Sequence, residues 1–290
     1  MLSISPQYTF LVGIDSDGCV FDSMELKHKE CFIPNFIRCY ALQGVSKYAR
    51  EAAEFVNLYS KRRGVNRFLA LVEQLDWLRR RPEVKARGQH VPRPVGLDQW
   101  TIRETRLGQP ALEEAIAETG DSDLQQALDW SLAVNRSIAE MVRGLPPFPY
   151  VRECLAKLAA KADMIVCSQT PQAALESEWE EHDLAKWVRA ISGQERGSKQ
   201  QILGEGARHY SRERTLMIGD APGDYSAAIA NGCLFFPVNP GHEEASWQRL
   251  LDEGIDRFFG GTYDGDYQQR LIDEFDKYLP ERPPWPVDES

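Results

Sequence analysis

The sequence predicts an α/β protein with a doubly wound, mainly parallel sheet at its core and an all-helical domain inserted into it. Three apolar runs, residues 8–14, 164–167 and 215–219, are nearly continuous rather than alternating, which is typical of strands buried on both faces of a parallel sheet. The segment after the first run instead shows helical periodicity and no convincing strand. We therefore expect an α/β core made of residues 1–22 and 145–290, and a helical domain made of residues 23–144.

The first apolar run ends in two aspartates, Asp15 and Asp17, followed by a glycine. Open α/β sheets place their sites at the carboxyl ends of the strands, where these two side chains would lie. Because two close carboxylates repel each other, the pair suggests a bound cation or a shared proton. A polar turn with an aspartate cap is the structural alternative.

The helical domain is predicted from apolar positions that recur every three or four residues. The intervening segment 81–110 carries four prolines and three glycines, so we expect a long loop or broken helices there. We expect a proline-rich stretch, 145–149, to lead back to a core helix near residues 150–160, and residues 280–290 to form an extended surface strip. The helices expected in the domain cover residues 35–42, 46–59, 65–80 and 123–143.

The two later apolar runs also end in polar groups. Ser168 and Thr170 follow the second run, and Asp220 and Asp224 follow the third in a tight loop rich in glycine and proline. Between them, Lys199 stands just before a predicted helix. The repeated layout favours one polar site at the edge of the sheet.

Each of these later residues also has a structural alternative. Ser168 could simply end its strand, and Lys199 could be a solvated lysine at a helix start. Asp224 could serve only as the N-cap of a helix over residues 225–231.

Taken in order, the aspartate pair, Ser168, Lys199 and the later aspartates resemble the motifs of the haloacid dehalogenase superfamily, specifically its phosphatase-type members. The resemblance covers the segments before about residue 22 and after about residue 145, and it implies a Rossmann-like core. The inserted helices look like the cap domain of that family, in the position that follows the first motif. This cap is longer than many, which leaves the substrate class open.

The resemblance implies an Mg²⁺-dependent phosphatase that forms an aspartyl-phosphate. Asp15 would be the nucleophile, and Asp17 would be the general acid and then the general base. The metal would be held by the Asp15 carboxylate, the Asp17 backbone carbonyl and Asp220. Asp224 would be a further carboxylate on the metal side, or would orient Lys199.

The same resemblance implies roles for the groups around the phosphate. Ser168 would hydrogen-bond a phosphoryl oxygen, and Thr170 is an alternative contact. Lys199 would cancel negative charge on the phosphoryl group and on the nucleophile.

Other activities of the superfamily fit less well. A dehalogenase needs neither the metal nor a second aspartate, so Asp17 and Asp220 argue against it. Phosphonate hydrolysis lacks the second aspartate, so Asp17 argues against that activity too. A phosphomutase or phosphotransferase would keep every core residue named here. A non-catalytic binding protein that retains the fold is the alternative from another functional class.

Charge is distributed unevenly along the chain. A net charge of −10 argues against a general nucleic-acid binder. Residues 61–106 nevertheless hold twelve Lys/Arg against five Asp/Glu. Arg62, Arg63 and Arg67 lie in the densest part, and we predict that they contact the anionic substrate, since guanidinium groups suit phosphate or carboxylate. A solvated helix face is the structural alternative.

The remaining composition favours a cytoplasmic protein with no membrane partner, and the resemblance implies a small phosphorylated substrate. No apolar run approaches the length of a membrane span, and residues 1–6 lack the basic flank of a signal peptide. The six scattered cysteines form no metal-binding pattern and suggest reduced thiols. We expect Cys19, near the predicted nucleophile, to be a small packing residue. The sequence leaves the oligomeric state open.

Overall fold

The computed structural model of the protein describes residues 5–288, which form two compact units. The core unit contains the residues up to 24 and residues 143–279; the helical unit contains residues 25–142 and the C-terminal segment from residue 280. The expected boundaries at 22/23 and 144/145 lie two residues from those of the structure. Residues 1–4 and 289–290, which the expected ranges included, lie outside the described residues.

The core unit contains a five-stranded parallel sheet with the strand order β3-β2-β1-β4-β5. The chain moves outward from β1 in one direction and then crosses to build the other half, so the order reverses between β1 and β4. This doubly wound α/β topology is the predicted fold class. The strands are β1 (Phe10–Ile14), β2 (Ala162–Cys167), β3 (Ala190–Ser192), β4 (Thr215–Gly219) and β5 (Leu234–Pro237).

Both faces of the sheet are buried, which explains the continuous apolar runs. In β1, Val12 and Ile14 pack into one hydrophobic cluster while Leu11 packs into another. Strand β4 divides in the same way, with Leu216 in the first cluster and Met217 in the second. Because successive side chains of a strand point to opposite faces, a sheet covered on both sides needs an apolar residue at nearly every position.

Helices supply the two layers that cover the sheet. Trp179 and Trp247 are fully buried in the cluster on one face, and Leu203 and Phe275 in the cluster on the other. The α-helices of the core unit are Val151–Ala159, Gln172–Glu181, Lys199–Ala207, Pro222–Asn231, Glu243–Arg249, Ile255–Gly260 and Asp266–Tyr278. The helix expected near 150–160 is therefore present, whereas β3 and β5 were not predicted.

The helical unit contains no strand among its described residues. A short helix, Ser23–Leu26, leads into it through a π-helical turn, Lys27–Phe32. The α-helices that follow are Ile33–Cys39, Ser46–Leu58, Arg67–Arg79, Pro82–Ala86, Val95–Arg103, Gln109–Thr119 and Ser122–Met141. The segment 81–110 thus contains broken helices, the second of the two forms expected for it.

Aromatic rings fill the centre of the helical unit. Trp130 and Phe68 are buried and meet edge to face, with ring centroids 6.5 Å apart, and Phe68 meets Trp100 in the same way at 5.5 Å. Edge-to-face contacts of this kind add to the stabilisation from buried apolar area. The unit therefore has a hydrophobic core of its own.

The C-terminal segment 280–288 belongs to the helical unit, although the sequence suggested a surface strip of the core. Trp285 packs edge to face against Phe55, and the Arg81 guanidinium lies over its ring, 4.3 Å from the centroid. Asp288 forms an ion pair with Lys85. The segment therefore contacts the helical unit through the indole of Trp285 and the carboxylate of Asp288.

Two further expectations concern the whole described chain. Within residues 5–288, no helix is both long and apolar enough to cross a bilayer. All six cysteines are free thiols, and Cys19 is fully buried in the core, as expected for a packing residue.

Candidate active site

The site forms at the carboxyl end of the central strand. Asp15 directly follows β1, and its backbone N–H donates a 3.0 Å hydrogen bond to the carbonyl of Ile218 in β4. The residue is only 4% exposed. Asp220 follows β4, and these two strand ends flank the point where the strand order reverses, which is where doubly wound sheets bind ligands.

Lys199 connects two of the predicted carboxylates. Its ammonium nitrogen lies 2.7 Å from Oδ2 of Asp15 and 2.6 Å from Oδ1 of Asp224. The lysine is the first residue of its helix because Ser198 caps that helix, its hydroxyl accepting from the backbone N–H of Gln201 while its own N–H donates to the Gln201 side chain. The cap therefore fixes the start of the helix and the backbone position from which the Lys199 side chain extends.

Burial and mutual repulsion shape the ionisation of this cluster. Burial raises the pKa of Asp15 to about 7, against the opposing effect of Lys199 and with a further rise from Asp220. Burial likewise raises the pKa of Asp224 to about 6, with Lys199 again opposing it. For Lys199, burial lowers the pKa, but the three carboxylates outweigh burial and raise it. The lysine is therefore charged, and added positive charge would favour the ionised carboxylates.

Asp15, Asp220 and Asp224 form a cluster that fits a hard divalent cation. All three are buried, and each offers a carboxylate oxygen within 4.8 Å of those of the others. Oxygen is the ligand that Mg²⁺ prefers, and a small number of carboxylates completed by water and substrate oxygens is its usual environment. The chemistry of this donor set therefore suits the metal that the sequence predicted.

A glycine makes room for one member of this cluster. A Cβ atom built on Gly219 would lie 2.3 Å from Cβ and 2.6 Å from Oδ2 of Asp224. Asp224 itself is the third residue of the helix Pro222–Asn231, and its Oδ2 accepts a 3.1 Å hydrogen bond from the N–H of Ala221. Asp224 thus supports the start of its helix from within the first turn, whereas the structural alternative made it the N-cap of a helix over residues 225–231, and it also binds Lys199.

Asp17 is held by two hydroxyl groups. The Thr170 hydroxyl donates to Oδ2 of Asp17 at 2.5 Å, and the buried Ser23 hydroxyl donates to Oδ1. The side chain of Asp17 is half-buried. The metal contact predicted for Asp17 uses its backbone carbonyl rather than its carboxylate. The hydrogen bonds of the side chain do not test that contact, which stays a prediction.

Ser168 and Thr170 lie just beyond the end of β2. The N–H of Ser168 donates to the carbonyl of Ser192 in β3, and the Ser168 hydroxyl accepts from the N–H of Thr170 at 3.2 Å. A Cβ on Gly193 would lie 2.6 Å from the Thr170 carbonyl oxygen, so β3 approaches this turn closely. The strand end therefore presents two hydroxyls, of which that of Thr170 is directed to Asp17. Contact of either residue with phosphate stays a prediction.

The three predicted substrate-binding arginines have partners within the helical unit. Arg62 pairs with Glu73, with 2.6 Å between Nε and Oε2. Arg63 is 4% exposed and donates to the Leu58 carbonyl. These contacts give both side chains structural roles.

Arg67 is engaged more extensively. Its guanidinium donates to the Ser131 hydroxyl and to Oδ1 of Asn135 at 3.0 and 2.8 Å, and lies over the ring of Phe32. Burial lowers the pKa of this guanidinium. Substrate contact by any of the three arginines stays a prediction.

Ser23 and the two tryptophans that hold the loop after Asp15 were not predicted from the sequence. Trp179 donates its indole N–H to the Ser16 hydroxyl at 3.0 Å, and Trp247 donates to the Cys19 carbonyl at 2.8 Å. Ser23 is the first residue of a short helix, and nothing in the sequence indicates that its hydroxyl reaches Asp17. No local pattern marks the tryptophans either, because their partners are far away in sequence.

Comparisons with known proteins find similar solved structures. No family model matches the chain, and no curated sequence matches it. Similar solved structures include a haloacid dehalogenase superfamily hydrolase of subfamily IA from Geobacter sulfurreducens (16% identity, 80% of this chain and 89% of that chain, TM-score 0.37). A haloacid dehalogenase-like hydrolase from Streptococcus pneumoniae is 12% identical over 86% of this chain and 98% of that one (TM-score 0.44).

The L-2-haloacid dehalogenase from Xanthobacter autotrophicus is also similar, with 17% identity over 89% of this chain and 85% of that chain and a TM-score of 0.38. These three structures bear names of the superfamily that the sequence motifs resemble. At these identities and TM-scores they do not decide what this chain does. A choice among activities has to come from the residues of the site.

Proposed function

We propose that this protein is an Mg²⁺-dependent phosphatase that hydrolyses a small phosphorylated metabolite through an aspartyl-phosphate. The observation that carries the proposal is the position of Lys199 between Asp15 and Asp224, beside the buried carboxylate of Asp220. Negative charge gathered at a strand end and partly compensated by one lysine suits the transfer of an anionic group in the presence of a cation.

In the first step, Asp15 acts as the nucleophile. One of its carboxylate oxygens forms a bond to phosphorus while the bond between phosphorus and the ester oxygen breaks. Asp17 gives a proton to that oxygen, which leaves as an alcohol. Lys199, at 2.7 Å from the Asp15 carboxylate, stays charged and offsets the negative charge that gathers there.

In the second step, water hydrolyses the aspartyl-phosphate. Asp17, now ionised, takes a proton from the water as its oxygen attacks phosphorus, and the bond between phosphorus and Asp15 breaks to release inorganic phosphate. The two hydroxyls that hold Asp17 keep its carboxylate in one place for both proton transfers. Ser168 is proposed to donate its hydroxyl hydrogen to a phosphoryl oxygen.

Asp15, Asp220 and the backbone carbonyl of Asp17 would hold the metal ion, with Asp224 beside them. When bound, Mg²⁺ supplies positive charge that offsets the phosphoryl oxygens and favours the ionised form of Asp15. Because the pKa of Asp15 is raised to about 7, chiefly by burial, this effect matters near neutral pH.

A phosphomutase or phosphotransferase is the alternative that shares the first step, since it differs only in which hydroxyl attacks the aspartyl-phosphate. Asp17 separates both from a dehalogenase, which protonates no leaving oxygen. The six free thiols fit the reducing cytoplasm, which is the compartment that we propose.

The test is a screen of the purified protein over a panel of phosphorylated metabolites, with and without Mg²⁺, with Asp15→Asn as the control. Release of phosphate that needs both Mg²⁺ and Asp15 supports the phosphatase. Transfer of the phosphoryl group to a second sugar, without release, would favour the mutase. Absence of either activity over the whole panel would favour a binding protein that retains the fold.

Arg62 offers the best test of substrate contact by the helical unit. It is the one of the three predicted arginines whose described partner is a surface-facing carboxylate, so its loss should leave the fold intact. We expect Arg62→Ala to depress activity on the natural substrate far more than on a generic aryl phosphate, which depends on the core alone. Equal losses on both would assign Arg62 to the structure of the helical unit.

A further inference from the structure

We propose that the helical unit carries a second binding site, a basic cavity for a small oxyanion that bears a phosphate or carboxylate group. The cavity has a volume of about 450 Å³ and is lined by residues 76–93. None of the residues predicted for the active site lines it. The inference does not depend on the proposed function, because it concerns a different part of the protein.

The charges that line the cavity favour an anionic ligand. The charged and titratable side chains in the lining are Asp76, Arg79, Arg80, Lys85, His90 and Arg93. Four cations of the lining thus face one carboxylate, Asp76, which pairs with Arg79 and Arg80, while Asp288 pairs with Lys85. The cations still outnumber these two carboxylates, in a chain whose net charge is −10. A concave surface with an excess of positive charge concentrates anions, and the volume lies within the range of about 300–1,000 Å³ that is usual for small-molecule sites.

Two of the cations are fixed in place by the protein. Arg79 donates to Asp76 at 2.7 Å and to the carbonyl of Pro92 at 3.0 Å. Arg80 lies over the ring of Trp77, with its guanidinium carbon 4.9 Å from the centroid. Guanidinium groups held in this way lose little conformational freedom when they bind an anion.

Arg93 and His90 complete the wall and are available to a ligand. Both are exposed, and across residues 5–288 neither side chain makes a hydrogen bond or an ion pair. An arginine without a carboxylate partner, next to two arginines that are already held, is positioned to bind an oxyanion.

The C-terminal segment shows that this surface accepts a carboxylate. Asp288 pairs with Lys85, one of the lining cations, and its backbone N–H donates to the Arg80 carbonyl at 2.8 Å. Since Lys85 already binds a carboxylate from its own chain, an external anion in the cavity would compete with Asp288 for it. The segment 280–288 is therefore an internal competitor for the site.

The ligand class follows from these donors. Arginine forks and a lysine bind the oxygens of phosphate and carboxylate groups in the same way, so the cavity recognises the compact oxyanion rather than a particular molecule. Inorganic phosphate and succinate are probes that separate the two sources.

We would titrate ¹⁵N-labelled protein with each probe at constant ionic strength, without added metal, and follow the amides of residues 84–93 and the ring of His90. Phosphate bound at the core site would give the same response in the wild type and in Arg93→Gln, so that variant separates the two sites. Saturable shifts that chloride does not reproduce are expected. A response to only one probe assigns the source of the oxyanion, and no saturable response to either overturns the proposal.

Variants make the test specific. Arg93→Gln should weaken binding about tenfold, and Asp288→Asn should tighten it about threefold by removing the competitor. Arg106→Gln and Asp129→Asn change the same charges on exposed positions outside the cavity and should stay within about twofold of the wild type. If Arg93→Gln binds the probe as tightly as the wild type does, the proposed site is wrong. If Asp288→Asn binds the probe no more tightly than the wild type does, the proposed competition by Asp288 is wrong.

Discussion

The hydroxyl of Thr170 donates a 2.5 Å hydrogen bond to Oδ2 of Asp17, a residue 153 positions away in sequence. Ser23 donates to the other carboxylate oxygen. The proposed general acid is therefore fixed from two sides, by the turn after β2 and by the start of the first helix. This arrangement assigns Thr170 a role in orienting Asp17 that differs from the direct phosphate contact predicted from the sequence.

Thr170→Val should consequently impair proton transfer. The substitution keeps the shape and removes the hydroxyl, so we expect kcat to fall about tenfold on alkyl phosphates, with little change in KM. Aryl phosphates, whose leaving groups need no proton, should be affected less, and Thr170→Ser should restore most of the activity. If instead KM rises equally for both substrate types, Thr170 binds the phosphate.

Gly219 and Gly223 provide a matched pair for testing the space around Asp224. Gly219→Ala would place its Cβ 2.3 Å from Cβ of Asp224, so we expect a loss of about 1–3 kcal/mol in the free energy of unfolding and a strong loss of activity. Gly223→Ala meets no atom within 4 Å and lies in a helix, so it should be neutral or stabilising. Denaturant unfolding of both variants checks this, and equal effects would contradict the close packing of Asp224.

The sequence was informative wherever one physical requirement decided the structure. Strands β1, β2 and β4 could be predicted because a sheet covered on both faces demands continuous apolar residues. The polar residues that end those strands could be placed together for the same reason, since parallel strands end at one edge. Asp15 and Asp224 do lie close together, each in contact with Lys199, although the lysine begins a helix rather than ending a strand.

Other elements could not be predicted because the local sequence pattern was absent or misleading. Strand β3 has only three residues, too few to show a pattern. The helix Gln109–Thr119 was missed because Pro110 suggested a break, whereas proline is well tolerated in the first turn of a helix. The C-terminal segment packs through Trp285 and Asp288, whose partners are some 200 residues away, and distant pairing of this kind leaves no periodic signal.

Asp15 should make the stability of the metal-free protein depend on pH. Its carboxyl loses its proton near 3.8 when unfolded and near 7 when folded, because burial penalises the charge. The folded state therefore binds the proton more tightly, and the free energy of unfolding should fall as pH rises from about 4 to 7, by about 1.4 kcal/mol for each unit of pKa difference.

Asp15→Asn removes this titration, so its melting temperature in EDTA should fall less over that range than that of the wild type. Asp224, whose pKa is raised to about 6, remains in the variant and keeps part of the slope. Asp129→Asn, which alters an exposed carboxyl, should follow the wild type. Parallel curves for the wild type and Asp15→Asn would show that the Asp15 carboxyl ionises as easily in the folded protein as in the unfolded chain.

Asp220 and Asp224 should differ in their effects on metal binding. Asp224 is already bound to Lys199 at 2.6 Å and to the N–H of Ala221, so its carboxylate has less freedom to serve as a ligand. We expect Asp220→Asn to weaken Mg²⁺ binding about a hundredfold and Asp224→Asn about tenfold, the latter through the altered position of Lys199. Calorimetric titration with Mg²⁺ measures both without relying on turnover, with Asp129→Asn as the control for lost charge. A larger effect for Asp224→Asn would make Asp224 a direct ligand, which its carboxylate oxygen, within 4.8 Å of those of Asp15 and Asp220, is close enough to be.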